Sequence, residues 1–477
     1  MNIFASLISL VLVAFALQPA SASEPVGIAV IDGIAGSNDS WMGFSYWKNE
    51  TSKNSGAEPL GTYLCKKIGS ANCKLASNRS FRADITAPVC RDSKSNCIES
   101  VAGLRGEVES RAVFVKYLAG STVQPDARFG LPMGATASLW VIPDVPNSAG
   151  ANTYIVSSHF SLRLEGSGVF ETLDFRTSIV PVKVEELVGA EPSTKFNTKD
   201  RVTGENLVAG SAPPTGCYLA EKDICYGRVE FSPETRLQLS LVFDNSRLGS
   251  WFNGHLAKPD LAVSTKGSAT TVTVSANPTI VQDLNISVGA NSSAALTQQF
   301  RKNGLKPGFY GVQSTDIEAA VYLDAVREQT DDSATGQLSL WSFGSAGQGP
   351  FQKCFANKSN LLGMVSTNSL IYQGDPPQMK NGFLSYTVAG MHYQPDKSTV
   401  FKGQYSLIMR KSVARCLFNL SQVPITASVS VSGVSRKDVA TEIVSSKGDW
   451  ISLRADNFTF SKKTIKVKIT KKIKPKK

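Results

Sequence analysis

The sequence LQLSLVF at residues 237–243 carries a large apolar side chain at every second position, from Leu237 to Phe243. Successive side chains of a β-strand point to opposite faces of the sheet, so this period of two predicts a half-buried strand. The same alternation recurs at residues 160–164, 271–275 and 428–431. Continuous apolar runs such as residues 139–142 are typical of strands buried on both faces. We therefore predict an all-β, multi-domain protein of β-sandwich architecture.

Residues 314–327 break the alternation and predict the one helix of the chain. Thr315 and Glu318 have the three-residue spacing of a capping box, in which each side chain bonds a backbone N–H at the start of a helix. Ile317, Ala320, Val321 and Asp324 then recur at steps of three and four residues. This spacing indicates an amphipathic helix of about three turns that packs between sheets.

The chain has 477 residues, which is long enough for several domains with their own cores. Two polar stretches rich in Gly, Pro, Asn and Ser, residues 189–216 and 285–308, are predicted to be loops or linkers. A domain boundary is expected between residues 245 and 270. The predicted parts are a signal peptide at 1–22, an N-terminal β-rich domain at 23–255, a β segment with a linker and the helix at 256–334, a C-terminal β-sandwich-like domain at 335–470 and a basic tail at 471–477.

An apolar run of 15 residues, from Ile3 to Leu17, lies close to the first methionine. It is shorter than a membrane-spanning helix requires, and the small residues Ala20 and Ala22 that follow match a signal-peptidase site. We expect cleavage after Ala22 and export of the remaining chain. The segment lacks Lys and Arg, so a retained N-terminal anchor is the alternative. No later stretch approaches the length of a spanning helix, and no transmembrane segment is predicted after cleavage.

Eight cysteines in a chain with a signal peptide imply disulfides, which form outside the reducing cytosol. Three close pairs and one pair left by elimination are predicted: Cys65 with Cys73, Cys90 with Cys97, Cys217 with Cys225, and Cys354 with Cys416. Neighbour pairing is a hypothesis, because eight cysteines allow many connectivities. A zinc site is the alternative. No CxxC occurs and the three histidines are scattered, so neither a metal nor a cofactor is predicted.

Nine lysines and no acidic residue lie between Lys462 and Lys477. The formal net charge is +11, so the residues outside this segment carry only +2. Ile465 and Val467 alternate with lysines, which predicts a final strand with one buried face and with lysines on an exposed edge, where they block pairing with other chains. The charge continues into the tail, which is predicted to contact polyanions of the cell envelope. Those contacts are assigned to Lys471, Lys472, Lys474, Lys476 and Lys477.

The lysine-rich tail has two other conceivable roles besides envelope attachment. Improved solubility is the simpler alternative, because a block of like charge keeps protein molecules apart. Specific binding of nucleic acid is not predicted, because no aromatic side chain lies among these lysines to stack on bases.

The sequence motifs of common hydrolases and phosphate-binding proteins are absent, since the chain contains no GxSxG, HExxH, EF-hand or Walker A sequence. His159, His255 and His392 are each a candidate general base, but none has a catalytic partner that the sequence reveals. The two carboxylates of a glycoside hydrolase are brought together only by the fold, and the sequence does not select them from 39 acidic residues. Catalytic residues are therefore not assigned.

Aromatic residues cluster near the predicted mature N-terminus, beside Asn and Asp residues. Trp41, Tyr46 and Trp47 are candidates for carbohydrate contact, because sugar rings stack on aromatic side chains that have polar neighbours. The alternative is a first strand whose aromatic side chains pack on their own sheet.

Several short runs in the second half of the chain carry a resemblance to known proteins. The most distinctive are VAGMHY at 388–393 with Pro395-Asp396, and YSLIMR at 405–410 with ARCLF at 414–418. Others are Trp251-Phe252 with Lys258-Pro259-Asp260, LSLWS at 338–342, GMVSTNS at 363–369, WISL at 450–453 and FTFS at 458–461. On these residues, roughly 237–470 resembles a group of secreted actinobacterial proteins that have no assigned activity. The resemblance implies a secreted or surface protein with a lysine-rich C-terminus, and it implies no catalytic residue.

These features together predict an exported β-rich protein of the cell surface or the extracellular space. A non-enzymatic role in adhesion, recognition or scaffolding is favoured, with envelope polyanions or polysaccharide as partners. The alternatives are a secreted polymer-degrading hydrolase, such as a glycoside hydrolase, and a carbohydrate-binding protein. An enzyme is expected to have a deep pocket with carboxylates or a polar triad, and a carbohydrate binder a shallow aromatic strip.

Overall fold

The computed structural model describes residues 26–31, 40–46, 62–70, 73–75, 79–105, 108–165, 168–186, 198–199, 206–207, 217–221, 224–288, 294–346, 354, 361–419, 425–431, 441–460 and 463–471. Within these ranges the chain is mostly β-strand with three short α-helices, so the prediction of an all-β fold is confirmed. The predicted signal peptide at 1–22 lies outside the described residues.

The strands and helices are numbered in chain order. The first sixteen strands are β1 (Val26–Ile31), β2 (Trp41–Tyr46), β3 (Thr62–Leu64), β4 (Arg79–Thr86), β5 (Cys97–Arg105), β6 (Val108–Arg111), β7 (Val113–Tyr117), β8 (Ser138–Val141), β9 (Thr153–Glu165), β10 (Glu171–Glu186), β11 (Thr198–Lys199), β12 (Asn206–Leu207), β13 (Cys217–Glu221), β14 (Ile224–Arg228), β15 (Arg236–Asp244) and β16 (Trp251–His255). The remaining strands are β17 (Ala257–Lys266), β18 (Ala269–Asn277), β19 (Thr279–Asp283), β20 (Asn285–Val288), β21 (Phe309–Gln313), β22 (Gly336–Leu340), β23 (Ser342–Ser345), β24 (Gly363–Thr367), β25 (Ile371–Tyr372), β26 (Gln378–Lys380), β27 (Phe383–Ala389), β28 (Lys402–Arg410), β29 (Ile425–Val431), β30 (Thr441–Lys447), β31 (Trp450–Thr459) and β32 (Lys463–Lys471). The helices are α1 (Ala294–Lys302), α2 (Ala320–Val326) and α3 (Lys411–Leu417).

One large sheet, here called the main sheet, connects most of the chain. Its strands follow the order β30-β31-β28-β24-β16-β23-β10-β9-β4-β2-β3, and neighbours are antiparallel except for β16 and β24. The long strands β9 and β10 extend beyond this path, where they pair with β8 and β14. The main sheet therefore crosses the boundary predicted between residues 245 and 270, because β16 pairs with both β23 and β24.

A five-stranded sheet in the order β17-β18-β15-β5-β6 packs against the main sheet. Residues 237–243 lie in β15, between β18 and β5. The large apolar side chains at every second position, from Leu237 to Phe243, are buried. Their alternation places them in the core between the two sheets, as the sequence predicts. Two sheets packed face to face in this way form the first β-sandwich.

Five phenylalanines hold this sandwich together at its centre. They come from β9, β10, β15, β16 and β23: Phe160, Phe175, Phe243, Phe252 and Phe343. Phe175 lies in the middle, with its ring centroid 4.9 Å from both Phe160 and Phe243 and 6.0 Å from Phe252. Aromatic pairs at these separations add to the free energy gained by burying their surface.

The second sandwich lies at the other end of the main sheet. Strands β25, β27, β32 and β29, with β26 on β27, form a sheet that packs on β24, β28 and β31. Ile465 and Val467 are buried in this core and Lys466 is exposed, which confirms the alternation predicted for the last strand. The predicted exposed edge is wrong, because β32 pairs with β27 on one side and with β29 on the other. Lys471 belongs to this strand, and residues 472–477 lie outside the described part of the chain.

The helices α1 and α2 pack on a small sheet in the order β20-β1-β21. Residues 317–326 are helical as predicted, with a 3₁₀ turn that continues into α2, but the cap is Asp316 rather than Thr315. Its side chain accepts a hydrogen bond from the Glu318 N–H. Residues 285–308 are not a loop, because β20 and α1 lie there. Helix α1 has only two buried apolar side chains, Leu296 and Phe300, and that weak pattern concealed the helix.

Three of the four predicted disulfides are present among the described residues: Cys65–Cys73, Cys90–Cys97 and Cys354–Cys416. For the fourth pair, β13 and β14 are antiparallel neighbours, and Cys217 and Cys225 lie on them. The side chains of these two cysteines lie outside the described part, so their bond stays a prediction. No helix in the described ranges is long and apolar enough to span a bilayer.

Replacing Phe175 by Ala tests whether the phenylalanine cluster is the centre of the fold. We expect the free energy of unfolding to fall by about 3–5 kcal/mol, because the change removes a buried ring and leaves a cavity. The measurement is chemical denaturation followed by tryptophan fluorescence. The matched control is Val184→Ala on the same strand, where the side chain is largely exposed and the expected loss is below about 1 kcal/mol.

A polar groove at the edge of the second sandwich

The face of the main sheet opposite the phenylalanine cluster carries polar residues at matching positions. In the strand register, Arg176 on β10 lies opposite Gly344 on β23, and Gly344 lies opposite Asn253 on β16. Asn253 in turn lies opposite Val365 on β24, which is buried in the core of the second sandwich. The second sandwich therefore covers this face at β24, and the cover ends over β16, β23 and β10.

A hollow of about 610 Å³ opens where that cover ends. The main sheet contributes Asp174, Arg176, Asn253, Gly344 and Ser345 to its lining. The opposite side is formed by residues 315–318, ahead of α2, and by the segment 372–375 with Gln378, Lys380 and Thr387. A second hollow of about 460 Å³ shares Gln373, Gln378, Lys380 and Thr387 with the first. The two hollows thus form one feature, which we call the groove.

Asp174 is held firmly in the wall of the groove. Its carboxylate pairs with the Arg176 guanidinium, and Oδ1 accepts a hydrogen bond of 3.1 Å from the Ser345 hydroxyl. That hydroxyl oxygen also accepts a bond of 2.8 Å from the Phe175 N–H. A carboxylate with donors on both oxygens is fixed in orientation, so this part of the groove is preorganised.

Hydrogen bonds hold the opposite side of the groove to the main sheet and join its two segments to each other. Asn253 Nδ2 donates to the Gly374 carbonyl oxygen over 2.6 Å, and the Tyr372 N–H donates to the Ser314 carbonyl over 2.7 Å. A Cβ atom on residue 374 would lie 2.7 Å from the Thr315 carbonyl oxygen. Glycine is therefore required for the chain to approach so closely at this point.

Tyr386 also stabilises the side of the groove that contains residues 372–375. Its hydroxyl donates a hydrogen bond to the Gln373 carbonyl oxygen. Burial raises the pKa of Tyr386 well above its ordinary value, and Tyr372, Tyr405 and Asp375 raise it further. The hydroxyl therefore keeps its proton, and this hydrogen bond, throughout the range in which proteins work.

The two hollows of the groove differ in charge. The first is lined by two cationic side chains, Arg176 and Lys380, and by four carboxylates: Asp174, Asp316, Glu318 and Asp375. The described residues that line the second include no carboxylate but two lysines, Lys380 and Lys466. The Lys466 ammonium lies 6.0 Å from the ring centroid of Phe383, which also lines this hollow. A ligand along the groove therefore passes from a negative to a positive environment.

A smaller hollow of about 300 Å³ lies between β17 and the strands β28 and β31. Arg236, Lys258 and Arg454 line it, but Arg236 is already engaged by Asp260 at 2.9 Å and by three other acceptors. Arg454 pairs with Asp456 at 2.8 Å. Arg236 therefore joins neighbouring strands and Arg454 pairs along its own strand, so both arginines are engaged and the groove is the stronger candidate site.

The three histidines have different surroundings. His159 is buried and bonds Ser157, on the face opposite Phe160 as predicted. His255 is buried as well, with Nδ1 2.7 Å from the Thr367 carbonyl oxygen and its ring against Tyr372. The His392 ring lies edge-on to Tyr393. Of these rings, only His159 has a hydroxyl within hydrogen-bond distance of each nitrogen among the contacts of the described residues.

The other predicted contact residues stay untested. Trp41 and Tyr46 lie at the two ends of β2, with Trp41 opposite Asp84 on β4 in the strand register. Their side chains and the whole of Trp47 lie outside the described part of the chain, so carbohydrate contact there remains a prediction. The same holds for Lys472, Lys474, Lys476 and Lys477, and for the side chain of Lys471.

The residues that line the groove were missed by sequence reasoning. They come from strands and turns far apart in the chain, such as Asp174 and Ser345, which are 171 residues apart and yet share a hydrogen bond. Thr315 and Glu318 do belong to a motif named from the sequence, but that capping box predicts the start of a helix rather than a binding site. Within the described ranges there is no group of three or more His, Cys, Asp and Glu side chains placed to hold a metal ion.

No protein-family model matches the chain, and no curated protein matches it either.

Replacing Tyr386 by Phe tests the support of the groove wall. We expect the free energy of unfolding to fall by about 1–3 kcal/mol, because the Gln373 carbonyl loses its donor beside a buried ring. Tyr310→Phe is the control, since its hydroxyl bonds the Lys306 carbonyl at an exposed position and the expected loss is below about 0.5 kcal/mol. Equal losses in the two variants would contradict a special role for Tyr386.

Proposed function

We propose that this is an exported recognition protein that binds a polysaccharide in the groove, while its lysine-rich tail contacts polyanions of the cell envelope. The groove carries the proposal. It is preorganised by the hydrogen bond from Asn253 to Gly374 and by the fixed Asp174 carboxylate. Its two hollows, of about 610 and 460 Å³, join through four shared residues, which suits an extended polymer.

The chemistry of the lining favours a sugar over a peptide. Amide and hydroxyl groups from Asn253, Gln373, Gln378, Thr315 and Thr387 line the groove together with four carboxylates. Sugar hydroxyls both donate and accept hydrogen bonds, so they can bond to amides, which do both, and to carboxylates, which accept. A peptide groove would need apolar pockets or an open strand edge. Few apolar side chains line this groove, and its largest aromatic ring, Tyr372, is buried.

Export is supported by the covalent structure and by the sequence. Disulfides persist in oxidising compartments, and three lie among the described residues. The apolar segment from Ile3 to Leu17 is the proposed signal peptide. The resemblance of residues 237–470 to secreted actinobacterial proteins is consistent with this location and is itself a proposal of kinship.

Lys380 gives a direct test of sugar binding. Lys380→Ala removes an exposed donor that lines both hollows, and the dissociation constant for a bound oligosaccharide is expected to rise about 2- to 10-fold. Binding is measured by titration calorimetry with the β-linked oligosaccharide that binds best in a panel of soluble glycans.

Lys402→Ala is the matched control, because Lys402 is an exposed lysine on β28 that does not line the groove. The Lys402→Ala variant should bind the oligosaccharide with the affinity of the unaltered protein. An equal loss in both variants, or no binding of any glycan in the panel, would contradict sugar recognition in the groove.

Hydrolysis of the bound polymer is the second candidate function. It is favoured by the four carboxylates that line the first hollow, since glycoside hydrolysis needs two carboxyl groups on opposite sides of the scissile bond. Asp174 is fixed by Arg176 and Ser345, and Asp316 caps the helical turn, so Glu318 is the first residue to substitute. If the unaltered protein releases reducing ends from the polymer and Glu318→Gln does not, hydrolysis is favoured over recognition alone.

Removal of residues 472–477 tests attachment through the tail without shortening β32. This segment contains four lysines, and its loss should release the protein from cell envelopes at lower salt, because fewer counterions are displaced on binding. The measurement is a salt-elution profile from isolated envelopes. A control with the four lysines replaced by arginine keeps the charge and should elute with the unaltered protein. Elution of the truncated protein at the same salt concentration would refute electrostatic attachment.

A further inference from the structure

A serine and a histidine form a close pair on the polar face of the main sheet. The Ser157 hydroxyl oxygen lies 2.5 Å from His159 Nε2, and both residues belong to β9, two positions apart. On the other side of the ring, Nδ1 lies 3.2 Å from the Thr86 hydroxyl oxygen and 3.8 Å from Asp84 Oδ1. One imidazole thus stands between a serine on one side and a threonine with a carboxylate on the other.

The order of these groups suits nucleophilic catalysis. A serine hydroxyl becomes a useful nucleophile when a histidine nitrogen accepts its proton, and the histidine works best when its second nitrogen is held in one tautomer. If Nε2 accepts from Ser157, then Nδ1 carries the hydrogen and can donate to Thr86. The Asp84 carboxylate lies close enough to stabilise the imidazolium that forms when the proton is transferred.

The pair lies beside the groove. In the strand register, His159 is opposite Arg176 and Ser157 is opposite Ser178, both on β10. Arg176 lines the first hollow, and neighbouring strands are about 4.8 Å apart. The alternation along β9 places Ser157 and His159 on the face that carries the groove, away from Phe160 and the phenylalanine cluster.

We propose that Ser157 is an acyl-accepting nucleophile with His159 as its general base, and that it removes small acyl esters from the polymer in the groove. Ser157 and His159 are only 4% and 5% exposed and are not among the residues that line the groove, so only a small acyl group, such as acetyl, would reach Ser157. This inference rests on the proposed function only for the identity of the polymer. It also differs from the sequence-based expectation of a protein without enzymatic activity.

The reaction is an ester hydrolysis with water as its only co-reactant. Ser157 Oγ forms a bond to the ester carbonyl carbon while its proton passes to His159 Nε2, and the sugar alkoxide leaves with that proton when the ester C–O bond breaks. Water then attacks the acyl-serine and gives a proton to Nε2. The carboxylic acid is released when the acyl C–O bond to Ser157 breaks and the proton returns to Ser157 Oγ.

A small fluorophosphonate ester tests the pair independently of any sugar. The probe forms an O–P bond with an activated serine and releases fluoride, and the adduct is located by intact mass and peptide mapping of the folded, disulfide-bonded protein. We expect a single adduct on Ser157. His159→Gln should slow its formation by about 10²- to 10⁴-fold, the usual contribution of a general base. The rate should also fall on acidification, because the protonated imidazole no longer accepts a proton.

Ser158→Ala is the matched control. Ser158 follows Ser157 on the same strand and is equally buried, but it faces the other side and its hydroxyl bonds Thr177 over 2.6 Å. This variant should react at the rate of the unaltered protein. No adduct on Ser157 in the unaltered protein would overturn the proposal, even if His159→Gln fails to fold. An undiminished rate in folded His159→Gln would overturn it as well. Labelling without glycan binding would retain the nucleophile and refute only the recognition function.

Discussion

The packing of Phe175 against four other phenylalanine rings is the interaction on which the remaining structure depends. The rings come from five strands, and they join the sheet that contains β15 to the main sheet. Because side chains alternate along a strand, burying these rings also fixes what appears on the opposite face. Arg176 follows Phe175, Asn253 follows Phe252, and Gly344 follows Phe343. A slip of one residue in any of these strands would remove a groove residue and expose a core ring.

The groove exists because two cores of different extent share the main sheet. The first sandwich covers one face of β10, β23 and β16, while the core of the second covers the opposite face at β24 and at Trp251, the first residue of β16. The uncovered part is bounded by the segment before α2 and by residues 372–375, which the Asn253–Gly374 contact holds in place. A polar concavity beside two well-packed cores is rigid without a ligand, so little conformational entropy is lost on binding.

Burying polar groups on this face of β9 and β4 lowers stability unless those groups form hydrogen bonds. Ser157, His159 and Thr86 are buried, yet each has a partner within hydrogen-bond distance. Buried polar groups are normally satisfied in this way for stability alone. The same arrangement also orients an imidazole between a hydroxyl and a carboxylate, so one set of contacts serves the fold and offers chemistry beside a binding groove.

Features that depend on near neighbours in the chain were predictable from the sequence. The period of two in 237–243 identified a core strand, Ile465 and Val467 identified the buried face of the last strand, and short spacings identified Cys65–Cys73 and Cys90–Cys97. Local patterns also failed where they were weak, as in α1, or where a second strand supplied the pairing, as on β32. The groove and the contacts around His159 became visible only in the tertiary structure. Their residues meet through the register between strands that are up to 171 residues apart, and register depends on which large side chains pack together in the core rather than on any local spacing.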